Sequence, residues 1–168
     1  MSVVSYRIST PEEEQSFFRR LFDITRRPDF EQAGLSGEAL DTLMDSQYCA
    51  RTTHYKGTYP EAEYRMIFSG ADLAGGMIVE ERDGDLHLID ITLLDERRGQ
   101  GIGTRVMSDL IEDAKREGRG VLLFVEQFNP AQRLYERLGF AEVELVGIYR
   151  RMIWKAPLTH PTESDKGM

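Results

Sequence analysis

A stretch of apolar residues ending at Leu93-Leu94 runs into an amphipathic pattern beginning at Ile102 through Asp95-Glu96-Arg97-Arg98-Gly99-Gln100-Gly101, and glycines stand at 99, 101 and 103. A strand that turns into a helix over so few residues confines the chain to folds in which a helix packs back on a sheet. The turn has chemical consequences as well. Glycines let backbone approach an anion with no Cβ in the way. The first amides of the helix have no intrahelical acceptor, and the dipole is positive at that end. A diphosphate is the natural guest.

The common phosphate motifs can be tested by spacing. A P-loop requires Lys before its Ser or Thr, whereas Gly103 directly precedes Thr104. The dinucleotide fingerprint requires a third small residue where Val106 stands, although Glu126 loosely meets its demand for an acid about 20 residues further on. The pattern that fits is Arg98-x-x-Gly101-x-Gly103. It resembles the Q/R-x-x-G-x-G/A signature of the GNAT superfamily of acyl-CoA-dependent N-acetyltransferases. Downstream, Asn129-Pro130-Ala131-Gln132-Arg133-Leu134-Tyr135-Glu136-Arg137-Leu138-Gly139-Phe140 resembles that superfamily's N-x-x-A-x-x-L-Y-x-x-L-G-F segment. The resemblance covers Ile78 to Trp154; upstream of it only the order of elements is similar.

The resemblance implies an α/β fold, a mixed sheet with flanking helices in the order β-α-α-β-β-β-α-β-α-β-β, and local signals lead largely to the same order. Val3 to Ile8 reads as a strand. Thr10-Pro11-Glu12-Glu13 opens a helix with Thr as N-cap, and Phe17, Phe18, Leu21, Phe22 and Ile24 give it an apolar face. A linker is expected at Arg26 to Phe30, then a helix from Gly37 to Tyr55. Strands follow at Tyr64 to Phe68, Leu73 to Arg82 and Leu86 to Leu94, the last two joined by Asp83-Gly84, a strong hairpin signal. Ile102, Val106, Leu110, Ile111 and Ala114 form the next helix's buried stripe, which Gly118 or Gly120 ends. Val121 to Val125 reads as a parallel strand covered on both faces. Asn129 caps a helix that Gly139 closes, and Val143 to Val146 pairs with Tyr149 to Trp154 through a turn at Gly147. One domain over residues 1–156 is expected, with 157–168 a frayed tail.

Composition narrows the function classes. A net charge of −8 argues against broad nucleic-acid binding. Between Asp95 and Gly120 six acids and six bases cancel, so the negative charge lies elsewhere. That distribution suits an anionic cosubstrate and a cationic amine, and it serves solubility equally well. No apolar run is long enough to span a bilayer, and Met1-Ser2-Val3-Val4 lacks the layout of a signal peptide. With Cys49 as the single cysteine, a cytoplasmic location is expected. His54, His87 and His160 are scattered and no metal-ligand spacing occurs, so no metal is expected.

By resemblance, acetyl-CoA is the cosubstrate. Its pantetheine arm would lie along the backbone of Ile91, Thr92 and Leu93, and its diphosphate on the amides of Arg98, Gly99, Gln100, Gly101, Ile102, Gly103 and Thr104. Asn129 resembles the asparagine that bonds the pantetheine arm, although it precedes Tyr135 by six residues where the superfamily has seven. Tyr135 resembles the tyrosine beside the sulfur, where a phenol supplies the proton that the departing thiolate needs. Packing against Leu134 and Leu138 would explain the same residue structurally.

An ammonium acceptor must lose a proton before it attacks. Some relatives carry a glutamate for this five residues before the asparagine, where this chain has Phe124. Asp90 is the first candidate, because a lone carboxylate inside Leu88-Ile89-Asp90-Ile91 would be desolvated and made a stronger base. Backbone amides at a strand distortion would satisfy the same residue without catalysis. Glu126 is the second candidate, and deprotonation through water is the third. Gln47, Arg51 and His54 share one helix face, and Tyr55, Tyr59 and Tyr149 adjoin it as an acceptor pocket. The acceptor would be a small-molecule amine or a protein amine, transferred to directly because Cys49 is remote from the cofactor strand; homodimers are common in the superfamily. The rival is a CoA-binding or protein-interaction module without useful turnover.

Overall fold

Thr10 accepts a hydrogen bond from the Glu13 amide at 3.3 Å while the Glu13 carboxylate accepts from the Thr10 amide at 2.9 Å, a complete capping box that starts the first long helix. The protein was analysed as a computed structural model, which describes residues 2–158. Its elements are β1 (Val4–Ile8), α1 (Pro11–Gln32), α2 (Gly37–Thr58), β2 (Glu63–Ser69), β3 (Asp72–Arg82), β4 (Asp85–Leu93), α3 (Ile102–Arg116), β5 (Val121–Glu126), α4 (Ala131–Arg137), β6 (Ala141–Val146) and β7 (Tyr149–Trp154), with a 3₁₀ turn at Asp95–Arg97. This is the expected mixed α/β order, and the 3₁₀ turn is an addition to it. The sheet runs β1-β2-β3-β4-β5-β7-β6, antiparallel except for the β4–β5 pair. Most of the expected tail, with His160, lies outside the described residues.

Two departures from the sequence reading concern helix ends. The linker expected at Arg26 to Phe30 is helix, with Pro28 inside α1. Proline removes the amide that would have bonded to Ile24, a cost of about 3 kcal/mol that packing must offset. Phe30 packs with Phe22, Leu40 and Met44 between α1 and α2, which supplies that packing. The helix stops instead at Gly34, where φ is 90°. The Leu35 amide donates to the Phe30 carbonyl at 3.0 Å and the Gly34 amide to Glu31 at 2.9 Å, a Schellman cap whose apolar clasp is Leu35 on Phe30. Helix α2 runs one turn beyond the expected Tyr55 to Thr58, where the Arg82 guanidinium donates to the Thr58 carbonyl.

Helices α1 and α2 cover one face of the sheet and α3 with α4 the other. The larger core lies under α3, where Val106, Met107, Leu110 and Ala114 pack on Ile67, Met77, Val79, Leu123 and Met152. On the opposite face Phe17, Phe18 and Leu21 pack on Met66 and Ile78, and Phe18 meets Tyr64 edge-on at 5.1 Å between centroids. Residues 75 and 76 of β3 must be glycine for this to close. A Cβ on Gly76 would stand 2.8 Å from the Phe18 ring and 2.9 Å from Leu21, and a Cβ on Gly75 would strike the Thr92 carbonyl and come within 2.9 Å of the Leu93 Cα.

The strand expected to be covered on both faces is so covered only in its first half, where Leu122 is buried on the face opposite Val121 and Leu123. Val121, Leu123 and Val125 point into the core, whereas Phe124 is 46% exposed, because β4 pairs with β5 only from Leu86–Val121 to Leu88–Leu123. Beyond that point the two strands diverge and Phe124 faces the gap.

Because its neighbour is backbone, Gly75→Ala should push β4 away from β3 and destabilise the protein by roughly 1–3 kcal/mol. Urea unfolding monitored by circular dichroism would measure it, and an unchanged midpoint would show that the strands adjust freely.

Candidate active site

The register of β4 against β3 explains the divergence. Asp90 pairs with Ile78 and Leu88 with Val79, leaving Ile89 as an extra residue, a β-bulge. Without it, alternation would turn Asp90 towards α3 together with Leu86 and Leu88. With it, Asp90 turns to the other face and reaches α2, while Ile91 and Leu93 pack towards α3. The bulge bends β4 away from β5, so among the described residues no strand pairs with the β5-side edge of β4 from Ile89 to Leu93.

The gap opens into a cavity of about 590 Å³ walled by α1, α2, β4, β5, α4 and β7. Asp90, Ile91, Glu126, Asn129 and Tyr135 all line it, as do Gln47, Arg51 and His54 from one face of α2. A second space of about 360 Å³ continues from it and is lined by His54, Tyr55, Tyr59, His87, Phe124 and Tyr149 among others. The structure thus gathers the carboxylates, the tyrosine, the asparagine and the expected acceptor residues around one cleft. It adds Arg26 and Asp29 from the part of α1 read as a linker, Thr25 just before it, and His87, read as one of three scattered histidines. The signal for the former was Gly34-Leu35 as a helix stop.

Tyr135 is 8% exposed, and burial, aided by the negative charge of Asp90, pushes its phenol up to about 12. It is therefore protonated at neutral pH and has a proton to give. The Gly139-Phe140 ending holds it in place: with φ of 97° at Gly139, the Phe140 amide donates to the Tyr135 carbonyl at 3.0 Å, and the two rings pack at 5.8 Å. Pro130, not the expected Asn129, holds the cap position of α4; the Asn129 side-chain oxygen accepts from the Ala131 amide at 2.9 Å, so its amide nitrogen is what it can offer a guest.

Asp90 is not the lone carboxylate expected from its apolar neighbours. The Arg51 guanidinium, packed over the Phe22 and Tyr55 rings, donates to it at 2.6 Å. Among the described residues no backbone amide donates to its carboxylate, as the alternative reading would have required. Asp29 stands 3.9 Å from Arg26. Glu126, at the exposed end of β5, is the one carboxylate lining the cleft with no cationic partner among the described residues.

The glycine turn lies beyond the cavity on the open surface. Gly99 and Gly101 have φ of 72° and 78°, and a Cβ on either would meet nothing within 4 Å. Their conformation calls for glycine, and the space above them is free for a ligand. The first helical bond is from the Arg105 amide to the Gly101 carbonyl at 3.0 Å, so the amides of Ile102, Gly103 and Thr104 precede the helical ladder. Arg98 reaches back 3.4 Å to the Leu93 carbonyl and 3.3 Å to Asp95, bracing the turn. Gly103 differs from the other two: a Cβ there would rest 3.7 Å from Leu93, an ordinary contact.

A mixed sheet split between a bulged fourth strand and the fifth, with a glycine turn at the third helix, is the architecture of an acyl-CoA transferase. Residues 18–140 match the acetyltransferase (GNAT) family, and the chain belongs to that family. An uncharacterized N-acetyltransferase of Methanocaldococcus jannaschii is 38% identical over 78 residues, 45% of this chain and 34% of that protein, so this chain spans about a third of that relative's length. The fold is shared with the PaiA N-acetyltransferase of Thermoplasma acidophilum, solved with coenzyme A (TM-score 0.63, 16% identity, 91% of this chain and 99% of that one). It is also shared with an acetyltransferase of Thermus thermophilus (0.64, 17%, 92% and 99%) and with the Campylobacter jejuni N-acetyltransferase PseH, solved with acetyl coenzyme A (0.57, 13%, 91% and 99%). Among the described residues no helix is long and apolar enough to cross a membrane.

Since the folded state keeps the Tyr135 phenol neutral beyond its unfolded value of 10, its contribution to stability is complete below pH 10 and lost as pH rises towards 12. The loss is at most roughly 2–3 kcal/mol. Denaturant melts from pH 9 to 12 should fall more steeply for the parent than for Tyr135→Phe; parallel curves would place that phenol in water.

Proposed function

We propose that this protein transfers the acetyl group of acetyl-CoA directly to a primary amine. The observation that carries the reading is the unpaired edge of β4, Ile89 to Leu93, beside a cleft that holds both Tyr135 and Glu126. Acetyl-CoA supplies an activated thioester and a thiol leaving group. The β4 edge offers amides and carbonyls at strand spacing to its pantetheine arm, as an added strand would use them. Ile91, Thr92 and Leu93 take that part, and the Asn129 amide adds a donor across the gap. The turn from Arg98 to Thr104 takes the diphosphate through amides and the α3 dipole, which makes Arg98 a brace of the turn more than a ligand.

Glu126 is the better placed of the two carboxylates to remove the ammonium proton. It is ion-pair free within the cleft and joined to water, so the proton can pass along a short water chain. Asp90, held by Arg51, positions α2 against β4 and contributes field. Tyr135, a protonated phenol lining the cleft, gives its proton to the departing sulfur. Cys49 is exposed on α2 and lines neither cavity. No covalent acyl-enzyme is invoked.

Three variants separate these roles. Gly101→Glu should abolish acetyl-CoA binding in isothermal titration by setting a carboxylate where the diphosphate lies. Tyr135→Phe should bind acetyl-CoA like the parent yet lose about 10²-fold in kcat, the usual worth of a positioned acid. Cys49→Ala should turn over normally. Binding retained in Gly101→Glu would move the cofactor site, and a Cys49→Ala variant without turnover would replace direct transfer by an acyl-cysteine route.

A further inference from the structure

The acetyltransferase reading leaves the acceptor unspecified, and the cleft narrows it. Along β5, Leu122, Phe124 and Glu126 point to the α2 side, and the β5–β7 register sets Tyr149 directly opposite Glu126 and Arg151 opposite Phe124. Phe124, Glu126 and Tyr149 are thus neighbours on one sheet face. Arg151 is drawn away to Glu144 at 2.9 Å, which leaves the two aromatic rings, 46% and 41% exposed, beside a carboxylate without a cationic partner.

The smaller space extends from this group under α2. Its floor is Leu88, Ile89 and Leu122, and Val146 closes one side. The rings of Tyr55 and Tyr59 are already stacked under guanidinium groups, Arg51 at 4.9 Å and Arg82 at 5.1 Å, so they form walls already engaged with cations. Burial, with the charge of Arg82 adding to it, holds the His87 imidazole below its ordinary value, so it is neutral at pH 7. The volume, about 360 Å³, is near the lower end of small-molecule sites, which run from about 300 to 1,000 Å³.

We propose that the acceptor is a small arylalkyl monoamine whose ammonium group lies at Glu126 and whose ring rests on Phe124 and Tyr149 in the smaller space. One available carboxylate matches one positive charge. Asp90 is held by Arg51, and Asp29 stands at the solvent-exposed rim of α1, so a polyamine or an aminoglycoside would bring its further ammonium groups to the apolar walls of the smaller space, at a desolvation cost nothing there repays. The ring replaces water on exposed aromatic surface, and the amine then points through the shared wall of the two spaces towards the end of the β4 gap and Tyr135. Acyl transfer balances without a further reactant: the ammonium loses one proton to water by Glu126, its nitrogen forms the amide bond as the carbon–sulfur bond breaks, the sulfur leaves as a thiol with the Tyr135 proton, and the second nitrogen proton, released as the amide forms, restores the phenol.

The inference rests on the acetyltransferase reading, and one experiment distinguishes their failures. Thiol release from acetyl-CoA is followed with 2-phenylethylamine, spermidine, kanamycin and a lysine-containing peptide, using the parent, Phe124→Ala and Phe124→Glu. The parent should show kcat/KM for 2-phenylethylamine at least tenfold above each of the others. Phe124→Ala should raise KM for 2-phenylethylamine about tenfold with little change in kcat, and Phe124→Glu should move the preference towards spermidine. Turnover that favours spermidine, kanamycin or the peptide in the parent, or an unchanged KM in a folded Phe124→Ala, overturns the acceptor assignment and leaves the transferase reading standing. No thiol release with any amine by protein that binds acetyl-CoA overturns both.

Discussion

Every function assigned to the cleft depends on the loss of pairing between β4 and β5 beyond Leu88 and Leu123. Backbone groups at a strand edge seek partners, and a sheet interior normally leaves none free. Here Ile89 enters β4 as an extra residue, the strand bends, and a row of peptide groups is left facing the gap. The same insertion turns Asp90 to the α2 face, where Arg51 holds it. One residue therefore creates both the edge proposed for the cosubstrate and the tie between that edge and α2.

The rest of the fold holds that gap at a fixed width. Gly75 and Gly76 let β4 and α1 close on β3 from opposite sides. Schellman caps end α1, α3 and α4, each at a glycine of positive φ, and in α4 the cap also clasps Tyr135 against Phe140. A motif recognisable by its tyrosine, proposed as the proton donor, thus has an equally physical explanation as a helix stop. The two explanations support each other, because a proton donor must be held still to act.

Element order was legible because its signals are local: Thr10 with Glu13, Asp83-Gly84, the glycines at 118 and 139. Two kinds of feature were not. Pro28 reads as a break, and only the packing of Phe30 between α1 and α2 shows why the helix continues; that continuation carries Arg26 and Asp29 into the cleft. The bulge at Ile89 shows in the sequence only as a change of phase, apolar residues falling at 86 and 88 before it and at 89, 91 and 93 after it, and within so apolar a run that change passes for continuous strand. Hence Asp90 looked like an isolated acid, and its partner Arg51, 39 residues away, was legible only as part of a polar helix face. Phe124 likewise reads as core, and becomes cleft lining once the strands part.

The central claim is that the edge of β4 from Ile89 to Leu93 receives the pantetheine arm. Hydrogen–deuterium exchange with and without saturating coenzyme A tests it at the backbone groups concerned. The account predicts slowed exchange in peptides covering 89–93 and 99–104 and little change in β1, β2 or β6. Coenzyme A bound with exchange at 89–93 unaltered would contradict it, and would mean that the parted strands do not hold the cosubstrate.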